Sequence, residues 1–516
     1  MFEIIQFTPE NFAKELCNKY TDVYAVKKKY HYSYFLEYLG SGLNAQYMVI
    51  ESEYISKDYL HDYISYYALC SKPYDKKCTR IHFFNTTLTK ELFEKALLGK
   101  LESPIDIWEN YLGFTVVKPI PTTVIGYTVL KNYSFVNKLP EREFWGVRKY
   151  KVHVFGKEVE FESLAFQEQD AVLAACATTA IWCMLNKAAI DFDTILKSPS
   201  DITKDAGNVS SDGSRLFPNK GLDVAQICHA ILKSGLVTEL KQPDVKELNE
   251  EGDEIDYVSN AKTKKIINAY SGLGIPIILV IEVPDGDDLG LHAIAVSGFK
   301  KIPIEPVAPS TEVSWLADNI EKLYAHDDQF GPFVRITFKD QCKIETPWTE
   351  KHKMGWPTRV TNIIVPVYPK VRVSYEDIEA IIYGLDSILT EFFKGKNRYD
   401  LVWDVQLNYS ESFKPKIKDL ALTDAEKITL LSLSMPKYLW VATCYIGKVQ
   451  FFTITFDATD VNNGMIAINF ICYLPPDYRT RLFDYLTANR VKFEPFFDKT
   501  NIRYYEFLLD QLKATP

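Results

Sequence analysis

Apolar and polar positions recur with different periods along the chain, and the periods predict its elements. NTTLTKELFEKALL (85–98) has helical spacing and a threonine or asparagine to cap it. GFTVVKPIPTTVIGYTVL (113–130) is β-branched and broken by Pro119 and Pro121, which predicts two strands with a turn or edge between them. RKYKVHVFGKEV (148–159) alternates and carries Gly156, the pattern of a hairpin.

From about residue 160 the pattern changes. Helices are expected over 176–187, over 218–236 (PNKGLDVAQICHAILKSGL, capped by Asp223 and ended by Gly235) and over 261–270. Strands follow at 275–283, 293–296, one ending near 325, then 333–338 and 362–368. Helices first and strands after indicate an α+β arrangement rather than alternating βα units. The acidic piece KELNEEGDEID (246–256) reads as a solvated loop. Beyond PVYPK (366–370) come an amphipathic helix at 375–389, a hairpin over 439–457 turning at Gly447, a strand at 465–473 and a helix at 479–488. The expected division is a mixed α/β region 1–155, a central domain 156–370 and an α+β region 371–516.

Composition narrows the class. A 516-residue chain exceeds one ordinary core, and 47% hydrophobic with 25% charged residues is globular. The formal charge of −9 leaves no basic excess for phosphates, so neither nucleic acid nor an anionic membrane is expected as a partner. The longest apolar runs, such as IPIILVI (275–281), fall far short of the roughly 20 residues of a spanning helix. The first twenty residues lack the basic and continuous apolar regions of a signal peptide, so a cytoplasmic protein is expected. Nine scattered cysteines without a CxxC pair fit reduced thiols, not a disulfide framework or a zinc site.

One cysteine stands at a junction. FQEQDAVLAACATTAIWCML (166–185) holds two glutamines, then Cys176, then a helical run. A helix start offers unpaired amides and the positive end of the macrodipole, which favour a thiolate. Such a nucleophile needs a histidine partner, an acid or amide to orient it and an oxyanion donor. Of eight histidines, His292 stands out: it follows the Gly-rich DGDDLGL and opens the strand HAIAVSGF. EKLYAHDDQFGPF (321–333) brings Asp327 or Asp328 to a turn where either can hold the imidazole. By itself Cys176 reads as a core cysteine; the joint pattern reverses that. Cys183, seven residues on, reads as core, as do Cys228 and His229, and Trp182 is expected to pack under the site. His326-Asp327-Asp328 point in alternating directions at a strand end and are not expected to share a metal ion. DATD (457–460) reads as a turn.

The order of these pieces, over about 160–345, resembles the papain-like cysteine peptidases, in particular the bacterial bacteriocin-processing (double-glycine) branch. The resemblance implies a core of helices packed on an antiparallel sheet. It implies Cys176 as nucleophile, His292 as general base and acid, and Asp327 as the residue orienting His292, with Asp328 the alternative. Gln169 would donate to the oxyanion beside the Cys176 amide, with Gln167 the alternative. Cys176-Ala177 stands where the family has cysteine-glycine. The implied protein is a cysteine peptidase or thiol acyl hydrolase acting on a peptide or isopeptide amide, with no cofactor and no metal. Its partners are a peptide or protein substrate and, through the flanking regions, a protein regulator. An acyltransferase of transglutaminase type with the same triad, or an inactive papain-like binding scaffold, are the competing expectations. Substrate and oligomeric state are not readable.

Overall fold

The computed structural model describes residues 2–101, 106–135, 139, 141–170, 175–191, 194–207, 221–248, 252, 254–285, 288–303, 312–351, 357–393, 401–461, 464–494 and 502–514. The chain is mixed α/β with several antiparallel sheets, and it divides into two compact units. The first comprises residues 1–260, 275–300 and 322–366; the second comprises 261–274, 301–321 and 367–516. Residues on both sides of 155 therefore share one unit, and the changeover after Pro366 lies near 370. Among the described residues no helix is long and apolar enough to cross a membrane.

The first unit opens with a five-stranded antiparallel sheet in chain order: Phe2–Gln6, Tyr47–Tyr54, Cys78–Phe84, Tyr111–Val117 and Ile125–Leu130. The break at Pro119 and Pro121 separates the last two strands as expected. The helix Lys90–Leu97 is capped by Thr89, whose Oγ1 accepts from the Leu92 amide at 3.2 Å, and it buries Phe93 and Ala96. The hairpin Arg148–Val154/Lys157–Ser163 turns through Phe155 and Gly156, at φ +48° and +91°. Positive φ at both central residues matches the right-handed twist of the flanking strands.

The second layer of this unit is a ring of six antiparallel strands. We label them β1 (Ile277–Asp285), β2 (Asp288–Lys301), β3 (Ile320–Asp327), β4 (Gly331–Phe338), β5 (Lys343–Glu345) and β6 (Thr358–Val367). They follow one another in order, and β1 also pairs with β6, which closes the ring. Closure explains the continuous apolar run Ile277–Ile281: β1 has a neighbour on each edge and is buried on both faces. Two expectations are corrected here. The acidic piece 246–256 is no loop where described: Val245–Leu248 pairs with Glu254–Tyr257. Its residues alternate, so Glu247 turns to Arg359 (2.7 Å) while Lys246 pairs with Glu254 (2.7 Å) at the surface. His292 does not open its strand either. β2 begins at Asp288, so the expected Gly-rich turn is largely strand, with residues 286–287 outside the described ones.

Helix α1 (Tyr30–Phe35) comes from the N-terminal region and α2 (Cys176–Asp191) from the central one. The helix Val224–Lys233 starts at a capping box, Asp223 with Gln226 (2.8 and 2.9 Å), and ends before Gly235 at φ +96°. The expected start at 218 lies outside the described residues.

In the second unit, Ser314–Trp315 runs parallel to Leu401–Tyr409, which continues antiparallel through Tyr438–Ile446, Val449–Asp457 and Ala467–Cys472. The helix Tyr375–Phe393 buries Ile378, Ile382, Leu385 and Leu389. Trp403 donates its indole N–H to Asp386 at 2.8 Å, and Trp440 lies edge-on to Tyr270. The helix Asn260–Ser271, expected within the central domain, belongs to this unit from its second residue onward.

Within the first unit, α1 grips the turn between β3 and β4. His31 Nε2 lies 2.6 Å from the Asp328 carbonyl, the Tyr34 hydroxyl donates to the Pro332 carbonyl at 2.5 Å, and the Tyr30 ring stacks on Phe330 at 5.2 Å and 7°. A Cβ on Gly331 would stand 2.4 Å from the Tyr34 ring. Gly331→Ala is therefore expected to cost about 1–3 kcal/mol by overpacking, measured by denaturant unfolding. In a Tyr34→Ala background the added cost should largely vanish, and an undiminished cost would show that the grip is not where the clash arises.

Candidate active site

Helix α2 begins at Cys176 itself, with Ala175 in the capping position. Alanine has no oxygen to satisfy the first-turn amides, a choice that costs about 1 kcal/mol against Ser or Asp. Cys176 therefore stands at the positive end of the helix macrodipole. Cys176 is half-buried, whereas Cys78, Cys183, Cys342, Cys444 and Cys472 are buried.

His292 lies on β2 and Asp327 at the end of β3, the neighbouring strand. The His292 Nε2 to Asp327 Oδ1 distance is 3.0 Å, and both side chains are buried. A register shift between Ala325 and Asp327 in the β3–β4 pairing re-aims the strand end. The Cys176 side chain acts on the same imidazole and adds to the preference for its protonated form. The expected set of Cys176, His292 and Asp327 therefore converges.

The electrostatics single out His292. Burial acts against its imidazolium, but the charge and hydrogen bond of Asp327, the Cys176 contact and Asp328 outweigh it, so its pKa stands well above the usual value. Three other buried histidines go the opposite way. Burial lowers His31, and pushes His82 and His326 down to about 4. His326 bonds the Leu164 carbonyl (3.0 Å) and the Phe333 amide (3.3 Å), a structural role. Burial also raises the Asp327 carboxyl, yet His292, the Gln329 amide (3.0 Å) and the Trp348 indole (2.9 Å) reverse this and hold it below the ordinary range.

Asp328 is the second acid. Its Oδ1 lies 3.6 Å from His292 Nε2 and has no hydrogen-bond partner among the described residues, while Oδ2 accepts from Gln329 Nε2 at 3.0 Å. Burial raises this carboxyl to about 7. Gln329 Nε2 also donates to Gln169 Oε1 at 3.4 Å. Residues 171–174, between Gln169 and α2, lie outside the described ones. Gln167 is buried, and its backbone amide faces the Cys183 sulfur. Burial raises the Cys183 thiol well above its usual range, so Cys183 is a core thiol, as expected. Trp182 is fully buried edge-on to Tyr127.

The residues that sequence reasoning missed are the supports. Trp348 packs edge-on to His292 (5.2 Å, 63°) and bonds Asp327, but nothing in PWTEK marks it. The approach to Cys176 is tied to the N-terminal region. Glu168 pairs with Lys29 and accepts from the Ile125 amide (3.0 Å), and Asp170 accepts from the Tyr67 hydroxyl (2.9 Å). The alternation of two acids with two glutamines (Gln167, Glu168, Gln169, Asp170) was the available signal, since buried carboxylates need partners. His292, Asp327 and Asp328 also offer three potential metal-ligand atoms, all within 4.8 Å of one another.

No protein-family model matches the chain, and no curated protein matches it.

Asp328 gives a signed pH dependence. The fold favours its protonated form, so the stability it contributes is present below about pH 4 and lost as pH rises through about 7. Asp328→Asn mimics the protonated carboxyl. It should melt like wild type near pH 4 and above wild type near pH 8. A melting difference independent of pH would show that Asp328 is ionised throughout.

Proposed function

We propose that the chain is a thiol hydrolase of papain-like type, acting on a peptide or isopeptide amide. The observation that carries the reading is the protonation preference of His292. Alone among four buried histidines with shifted values it is held toward the imidazolium, between a carboxylate and a half-buried cysteine at a helix start. An imidazolium beside sulfur favours the thiolate, the attacking form.

In this reading the Cys176 thiolate attacks the amide carbonyl carbon, and the Cys176 amide and the Gln169 side chain stabilise the oxyanion. The C–N bond breaks as His292 gives its proton to the leaving amine. Water then adds to the thioester with His292 as base, the C–S bond breaks, and the thiol is restored. Asp327 holds the imidazole throughout, and Trp348 and Gln329 hold Asp327. The papain-like core belongs to the same proposal: helix α2 beside a closed antiparallel ring brings the three residues together in the family's order.

A second reading has its own observation. The Nε2–Oδ1 separations of 3.0 and 3.6 Å to Asp327 and Asp328 suit edges of a coordination sphere of about 2.1 Å radius, and Asp328 Oδ1 is buried without a hydrogen bond among the described residues. The half-buried Cys176 at the start of α2, acting on the same imidazole, ranks the thiol reading first.

The test is iodoacetamide labelling of the folded full-length protein, resolved cysteine by cysteine, for wild type and His292→Ala. Cys176 should label fastest and lose that advantage in the variant. Labelling of Cys176 no faster than that of the buried thiols would sink the reading. Once a cleaved peptide is in hand, Cys176→Ala should abolish turnover and Asp327→Asn should cost less than His292→Ala. Gln169→Ala should lower kcat on the order of 10²–10³. Activity that is lost on chelation and restored by a divalent ion would instead favour the metal.

A further inference from the structure

A cavity of about 240 Å³ opens beside the candidate site, between α1, the start of β4 and the short helix Pro347–Lys351. Pockets for drug-sized ligands begin at roughly 300 Å³, so this one has room for a single long side chain. It shares its wall with the site. Phe330, in its lining, lies edge-on to Trp348 at 5.2 Å, and Trp348 lies edge-on to His292 at 5.2 Å. The same turn that carries Asp327 and Asp328 thus ends in the cavity.

The lining is aromatic and carries more negative than positive charge. Tyr30, Tyr34, Tyr133 and Phe330 line it, with Glu37, Glu345 and Glu350 against one guanidinium, Arg335. Aromatic faces carry negative potential and hold cations best when a carboxylate is also near. The protein displays this mode itself. The Arg335 guanidinium lies over the Tyr133 ring, 4.3 Å from its centroid, with Glu37 at 3.8 Å. Glu345 is partly neutralised by Lys339 (2.8 Å) and accepts from Thr337 (3.0 Å). Glu37 offsets Arg335, and Glu350, exposed like Glu37, adds a further negative charge. An anion entering here would meet these carboxylates at short range.

We infer that this cavity takes the cationic side chain of a lysine or arginine in the substrate. The inference rests on the thiol-hydrolase reading for the word substrate, but not for the binding itself. Two ring-to-ring steps separate the cavity wall from His292, on the order of 10 Å. An extended chain rises about 3.4 Å per residue, so the cation belongs within about three residues of the cut bond.

The experiment has two arms on the full-length protein. In the first, N-acetyl-arginine amide and the neutral isostere N-acetyl-citrulline amide are titrated against wild type and Glu37→Gln/Glu350→Gln, followed by calorimetry. Both glutamates are exposed, and an unchanged melting temperature checks that the double variant is folded. The arginine probe should bind roughly tenfold tighter than citrulline, and the difference should collapse in the variant. Equal binding of the two probes, or a preference that survives in the variant, overturns the inference. In the second arm, internally quenched peptides carry Arg, Lys, norleucine or Glu at each of three positions on either side of the centre. Faster cleavage with Arg or Lys at one position, lost in the double variant, supports the inference. Preference for Glu would make Arg335 the anchor and overturn it. If no peptide is cleaved while the arginine probe binds selectively, the cavity stands and the hydrolase reading falls.

Discussion

The structure turns on one buried electrostatic arrangement. His292, Asp327 and Asp328 bring an imidazole and two carboxyl groups within 3.6 Å in the interior of the first unit. Removing each charge from water costs several kcal/mol, and such a cluster persists only where partners and protons balance it. Here one carboxylate is ionised and carries the imidazolium, while the other is held toward its neutral form. Trp348 and the Gln329 amide supply donors to Asp327, and the Gln329 side chain supplies one to Asp328. Losing any of these supports would leave a buried oxygen short of a partner.

That demand explains why the N-terminal region is built into the same compact unit. The turn that carries both aspartates has little secondary structure of its own. His31, Tyr34 and Tyr30 hold it at Asp328, Pro332 and Phe330. The segment leading to Cys176 is held in the same way, Glu168 by Lys29 and Ile125, and Asp170 by Tyr67. Two stretches far apart in sequence thus converge because a third, from the first 70 residues, fastens both. Residues 1–155 therefore serve as scaffold for the candidate site, whatever further role they have.

The thiols follow the same logic of solvation. Burial makes Cys78, Cys183, Cys342 and Cys444 poor thiolates, raising Cys78 to about 12 and Cys342 to about 11. Cys176 instead heads a helix at a half-buried position, next to a histidine held toward its protonated form. The difference between Cys176 and Cys183, two turns apart on one helix, is one of position along the dipole and access to solvent.

The sequence determined what local chemistry can encode. Helical spacing, the Thr89 and Asp223 caps, the prolines at 119 and 121 and the glycines at 156, 235 and 447 announced their elements, because each acts on its own few residues. Cys176, His292 and Asp327 were legible as candidates because a cysteine at a helix start, a strand histidine and a turn acid are each marked locally. Tertiary structure decided the rest. Closure of the ring, the long β2 strand and the pairing of the acidic hairpin depend on partners far away in sequence, and a strand's neighbours are not written in its own residues. Trp348, Gln329 and His31 carry no local mark, since an indole, an amide or an imidazole becomes a support only when the fold sets a buried carboxylate or carbonyl beside it. That Asp327 lies nearer His292 than Asp328 does, 3.0 against 3.6 Å, goes with a register shift that periodicity cannot foretell.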